Sequence, residues 1–360
     1  MKGFCQFKTY LLLLALLLPA CVLAFAACER AKSEANGSVS VLIYSRYIDP
    51  AMLADFKAKT GYSINIEVYE AQEEMIEWLQ AGGTWKYDVI VASDVMILQM
   101  IDWGLIQKLD TARLPNLKNL DPDFMASYFD EHNVYTMPYL WGTSGILYRD
   151  PKLKPEAVSY KMLFGDAAKK ESFSLLNEGR SMISMAMMAL GLDPNSRKKE
   201  DIDRAVKLLS DLKGYAGFKG FEESVKASQR VLSGELNAAF VFNGEANDAM
   251  NKDPQLQYAV PEEGSFIWID VMTISANASN LKGAYAFMNY IMDAKIGAQL
   301  ANYVGFGTPN KASYPFLDMK VIENAVIYPD SLTRQRLQFL RDPGEAARLY
   351  EEGWYKVKYN

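Results

Sequence analysis

Cysteine and histidine, which serve as nucleophile, proton carrier and soft-metal ligand, are few in this 360-residue chain, and their spacing does not suit catalysis. Its three cysteines, Cys5, Cys21 and Cys28, all lie at or before position 28, which leaves no thiol in the body of the chain. The single histidine, His132, sits between Glu131 and Asn133 in a polar stretch and reads as a surface residue. Gly142-Thr143-Ser144-Gly145 resembles a nucleophile turn only superficially, because the spacing is wrong, and no phosphate-cradling Gly-x-x-x-x-Gly-Lys occurs. Met182, Met185, Met187 and Met188 recur at helical spacing with no His or Cys nearby, so they are expected in a core and not around a soft metal. No catalytic residue, metal or cofactor is therefore expected. Binding is the expected activity, and the available binding chemistry consists of 21 Tyr, 17 Phe, 6 Trp and 44 acidic residues.

The first residues specify an address. Lys2 and Lys8 precede an almost uninterrupted apolar run from 10 to 27, the layout of an export signal over 1–27. Ala26-Ala27 stands immediately before Cys28, the pattern of a lipoprotein signal in which the cysteine becomes a lipidated N-terminus. Cys21 is a second candidate, but it would leave an apolar stub, whereas Cys28 opens a polar tether over 28–38. The product is expected outside the cytoplasm, attached to a membrane through the lipid. Setting Lys2 and Lys8 aside from 38 basic and 44 acidic residues leaves a net charge of about −8. That balance argues against nucleic acid and suits a cationic small molecule.

About 330 residues remain to position a site, enough for two lobes. From Val39 the pattern alternates β-rich runs and helical stretches, the mark of βαβ units around a mainly parallel sheet. Strands are expected at 39–45, 63–69, 87–92, 135–141, 146–148, 172–176, 238–242 and 267–275. Helices are expected at 49–60, 71–80, 95–103, 180–190, 201–212, 222–232, 281–293 and 294–303, with two more between 330 and 359.

Four separated stretches are specific. Met-Pro-Tyr-Leu-Trp-Gly at 137–142, Val-Phe-Asn-Gly-Glu-Ala at 241–246, Ile-Trp-Ile-Asp at 267–270 and Gly-Phe-Gly-Thr-Pro-Asn at 305–310 resemble the landmarks of the bacterial spermidine- and putrescine-binding proteins. The resemblance is colinear from about Val39 to the C-terminus. It implies an α/β, type II periplasmic-binding-protein fold, with a ligand cleft between an N-lobe of 39–142 plus 269–314 and a C-lobe of 143–268 plus 315–360. It also implies a polyamine cargo, putrescine or spermidine, handed to the permease subunits and cytoplasmic ATPase of an ABC importer. One receptor delivering one cargo needs no oligomer, so a monomer is expected.

The same resemblance implies the binding positions. Tyr44, Ser45 and Tyr47 follow the first strand, and Ser93 and Asp94 follow the third. Glu178, with Ser181 close by, Phe242 with Glu245, Trp268 with Asp270, and Phe306 complete the set. This suits a flexible alkyl cation: each ammonium stripped of water needs a carboxylate, and aromatic walls shield the methylenes. Asp94, Glu178 and Glu245 also stand at helix starts, where capping is the competing role. Two departures matter. Arg46 replaces an acid and must turn outward or pair with an acid such as Asp94, and Ser181 replaces an acid of the spermidine-preferring branch. With Glu245 kept, the balance tilts towards putrescine. Iron, sugars or thiamine in the same fold, or a surface contact lipoprotein, are the alternatives. Iron is disfavoured because no constellation of His with paired Tyr is evident.

Overall fold

The computed structural model describes residues 37–125 and 127–359. The expected signal, Cys28 with its alternative Cys21, and nearly all of the tether lie outside the described residues. No described helix is long and apolar enough to cross a membrane.

The chain begins as consecutive βα units: β1 (Ser38–Tyr44), α1 (Ala51–Thr60), β2 (Ser63–Tyr69), α2 (Gln72–Gln80), β3 (Val89–Ser93) and α3 (Asp94–Asp102). β1 pairs in parallel with both β2 and β3, as short crossover helices require. After β4 (Ile106–Gln107), β5 (Thr136–Tyr148) leads into a second unit of β6 (Phe173–Leu176), α4 (Gly179–Ala189), α5 (Lys199–Asp211), β7 (Phe218–Glu222), α6 (Ser224–Leu232), β8 (Ala238–Phe242), α7 (Asn243–Lys252) and β9 (Gln257–Ala259). β10 (Ser265–Ser275) returns to the first unit. It is followed by α8 (Leu281–Ile291), α9 (Ala294–Val304), β11 (Leu337–Gln338) and α10 (Ala347–Tyr359). The strand order is β2-β1-β3-β10-β5-β8-β6-β7, a curled sheet whose two halves meet along β10 and β5. This is the two-lobed periplasmic-binding-protein architecture, with β5 and β10 passing between the lobes.

Period-2 alternation builds the core on both faces of each half. Val39, Val41 and Ile43 of β1 pack on one side with Val89 and Val91 of β3, while Leu42, Ile90 and Ala92 pack on the other. In the second lobe Ile146, Tyr148 and Phe240 face the layer holding Met182, Met185, Met187 and Met188, so the methionine stripe is core. Leu147, Ala239 and Val241 face the opposite layer.

Three expectations need correction. The strands expected at 135–141 and 146–148 are one buried strand of 13 residues, so Gly142-Thr143-Ser144-Gly145 is strand and not turn. Its glycines are there because large rings lie against them. A Cβ on Gly142 would stand 2.3 Å from the Trp268 ring, and one on Gly145 2.7 Å from the Tyr258 ring. The helix expected from Glu222 begins at Ser224, and the preceding residues form β7, a strand concealed by Gly220 at φ +106°. In the tail only α10 is a helix of several turns. Ser331–Arg334 is a single turn, and Leu337–Gln338 pairs with β10.

Candidate binding cleft

The carboxyl ends of the parallel strands converge, the location where open α/β sheets hold ligands. β1 delivers Tyr44 and the turn through Tyr47, β3 delivers Ser93 and Asp94, β6 Glu178, β7 Ser224 and β8 Glu245. Trp268 and Asp270 arrive differently, from the middle of β10 where it crosses between lobes. Asp270 is in register with Ser93 on one side and Leu140 on the other.

Asp270 is only 4 % exposed, and its Oδ2 accepts a 2.7 Å hydrogen bond from the Tyr47 hydroxyl. Burial pushes its carboxyl up to about 7, and the Tyr47 bond pulls it back. Asp94 is 2 % exposed and accepts from the Ser93 hydroxyl and the Val95 amide, both at 3.0 Å. Burial, then the charge of Asp270, raise its carboxyl to about 8. Glu245, half-buried, accepts from the Ser224 hydroxyl at 3.2 Å. Burial raises it to about 6, while hydrogen bonds and the charge of Arg46 act downward. The Ser181 hydroxyl donates to Glu178 Oε2 at 2.8 Å. Glu178 stands between the carboxyl end of β6 and the start of α4, and its charge also bears on Tyr44.

These acids resolve a conflict in the fold. The amino termini of α3, α4 and α7 meet at the cleft, and helix amino termini repel cations. Asp94 and Glu245 each lie in a first helical turn, and Glu178 immediately precedes one, so each helix end carries an acid that offsets its positive pole when ionised. The competing cap role is partly realised. Asp94 accepts the Val95 amide, whereas the Glu178 side chain makes no capping bond.

An unbroken aromatic chain links the lobes. Ring centroids are separated by 4.3 Å from Tyr69 to Tyr44, 5.4 Å to Tyr47, 5.7 Å to Phe306, 5.0 Å to Trp268 and 5.9 Å to Phe242. Phe306 is seated because residue 244 is glycine: a Cβ there would stand 2.2 Å from its ring. The contacts among Tyr47, Phe306, Trp268 and Phe242 are edge-to-face and those of Tyr44 are tilted, an aromatic surface of the kind that attracts ammonium and tolerates methylenes.

The structure thus gathers Tyr44, Tyr47, Ser93, Asp94, Phe242, Glu245, Trp268, Asp270 and Phe306, with Glu178 and Ser181 as a bonded pair on the same cleft. Ser45 lies in the turn after β1 and makes no hydrogen bond with another described residue. Arg46 turns outward: it is exposed, holds a left-handed φ of +61°, and forms no ion pair among the described residues. Of the two outcomes expected for it, turning outward or pairing with an acid such as Asp94, the first holds, and its charge is felt by Glu245. Sequence reasoning missed Ser224, which supports Glu245 and donates its position through Phe242, whose amide bonds the Ser224 hydroxyl at 3.0 Å. Recognising β7 would have exposed it as a residue after a strand end. Tyr139, inside a quoted motif, was missed because nothing in its spacing marks it as more than core.

The bacterial extracellular solute-binding proteins match residues 51–329. A spermidine/putrescine-binding periplasmic protein of Salmonella typhimurium is 30% identical over 342 residues, covering 94% of this chain and 97% of that one. A putrescine-binding periplasmic protein of Escherichia coli is 28% identical, covering 88% and 90%. Among solved structures, a spermidine/putrescine ABC transporter protein from Listeria monocytogenes superposes with a TM-score of 0.80 at 29% identity, covering 89% of this chain and 99% of that one.

Proposed function

The chain belongs to the bacterial extracellular solute-binding proteins, and from that premise we propose that it captures a short polyamine, putrescine or spermidine, between its lobes and delivers it to an ABC importer. The observation that carries this reading is Asp270. It is a nearly fully buried carboxylate, next to a second buried acid, with a tyrosine hydroxyl but no ion pair among the described residues to balance it. An ammonium group supplies the missing charge, since a buried acid without a cation is costly. In this reading Asp270 and Asp94 hold one end of the cargo and Glu245 and Glu178 the other. Tyr44, Tyr47, Trp268, Phe242 and Phe306 enclose the methylenes, and Ser45, Ser93 and Ser181 line the wall or orient acids. Arg46, beside Glu245, weakens the second end, which favours the shorter, less charged putrescine.

Lobes of 39–142 plus 269–314 and 143–268 plus 315–360 put two of the three divisions inside β5 and β10 and the third between Tyr314 and Pro315, and a hinge motion at these crossings closes the cleft. We read the protein as a monomeric binder, not an enzyme, held at the outer side of a membrane by lipid on Cys28. Calorimetric titration with putrescine and spermidine tests the cargo. Micromolar or tighter binding is expected, weakened about 30-fold or more by Asp270→Asn, in line with about 2–5 kcal/mol for removing one partner of a buried charge pair. No heat with either polyamine, or an unaffected variant, would sink it.

A further inference from the structure

The pairing of β5 with β10 slips by one residue at the cleft. Asp270 stands opposite Leu140 and Val271 opposite Pro138, so Tyr139 has no counterpart and forms a β-bulge. Bulges re-aim side chains beside functional sites. Here Met137, Tyr139 and the adjacent Leu140 all enter the same core layer, and only at Trp141 does the strand return to the other face. The displaced Tyr139 is 2 % exposed, and its ring lies 6.2 Å from the Tyr47 ring. Its hydroxyl donates to the Tyr47 carbonyl at 2.6 Å, and the Tyr47 hydroxyl donates to Asp270 at 2.7 Å. Asp270 is itself paired to the bulge, so the circuit closes.

Resting on the cargo reading above, we propose that Tyr139 is a positioning residue: without touching cargo it anchors the Arg46–Tyr47 turn so that the Tyr47 hydroxyl is held on Asp270. The turn needs an anchor because Arg46 occupies left-handed backbone without being glycine, a conformation that persists only when its surroundings impose it. The Tyr139 bond ties the backbone of that turn to β5, while the Tyr47 hydroxyl ties its side chain to β10.

The test uses the processed protein with Tyr139→Phe, Tyr47→Phe, the double variant, and Tyr148→Phe as control. Tyr148 lies on the same strand and also bonds a loop carbonyl, that of Leu153, far from Asp270 in the chain. Two readouts are taken: putrescine affinity, and the titration midpoint of the Asp270 carboxyl followed by carbon NMR without cargo, with Asp94 as the facing acid. Tyr139→Phe is expected to weaken putrescine about fivefold, the scale of one hydrogen bond, and to raise the Asp270 midpoint as Tyr47→Phe does. Adding it to Tyr47→Phe should change either readout by less than about twofold. An unchanged midpoint, the same shift in Tyr148→Phe, or fully additive effects would overturn the proposal. Should wild-type protein bind no polyamine, the cargo reading falls while the cargo-free midpoint still decides the role of Tyr139. Should Tyr139→Phe melt too early, Tyr139→His supplies the test, restoring the midpoint only if it restores a donor to the Tyr47 carbonyl.

Discussion

Three carboxylates set the pH behaviour of the cleft: Asp94 at about 8, Asp270 at about 7 and Glu245 at about 6, all lifted mainly by burial. Because their folded values exceed the ordinary carboxylate range, the stability they contribute to the empty protein is fully present below about pH 4 and is lost as pH rises from there to about 6, 7 and 8 for Glu245, Asp270 and Asp94. Cargo works the other way, since an ammonium favours the ionised acids. Two opposite trends follow between about pH 5.5 and pH 8.5. The melting temperature of the empty protein should fall as pH rises, while putrescine affinity should rise and binding should release protons. Melting curves, and titrations in buffers of different ionisation enthalpy, measure these. Parallel trends, or no proton release near pH 6.5, would mean that these acids do not meet the cargo.

Among elements, the two crossing strands carry more of the site than any helix. β10 delivers Trp268 and Asp270 to one face by simple alternation, and β5 makes room for them through Gly142 and re-aims Tyr139 through its bulge. The Trp268 ring cannot retreat easily, because Phe242 and Phe306 stand edge-on against it. Gly142→Ala is therefore expected to cost about 1–3 kcal/mol of stability, the usual scale of overpacking, and to weaken cargo binding by displacing an aromatic wall. Denaturant unfolding together with titration checks this. Gly214→Ala, where an added Cβ meets nothing within 4 Å, is the comparison.

For the whole molecule, an acidic surface and a two-lobed cleft make separate contributions. The net charge of −6 over the full chain, about −8 without the signal, steers a dication at long range but does not hold it. The association rate of putrescine should thus drop several-fold between about 20 mM and 200 mM salt, while the dissociation rate, set by buried contacts, stays nearly constant. Stopped-flow measurement of tyrosine and tryptophan fluorescence separates the two. A salt effect confined to dissociation would place the cargo on the surface and not in the cleft.

Legibility differed between fold and site. The βα alternation of the first lobe, β8 and β10 could be read directly, because period-2 and period-3.6 patterns are local consequences of backbone geometry. Phe242, Glu245, Trp268, Asp270 and Phe306 could be named from the short motifs, and Tyr44, Tyr47, Asp94 and Glu178 from the same resemblance carried onto positions outside them. The continuity of β5, the existence of β7 and the bulge at Tyr139 could not. At Gly142, Gly145 and Pro138 a residue type that locally favours turns or breaks strands is overruled by packing and pairing with residues distant in the chain, and at Gly220 by the pairing of β7 with β6. Residue chemistry and secondary periodicity were therefore determined by the sequence itself. Which acids lose their water, which hydroxyl reaches Asp270, and that Arg46 bears on Glu245 were decided only by tertiary structure, because burial and electrostatic proximity arise when both lobes close around the same space.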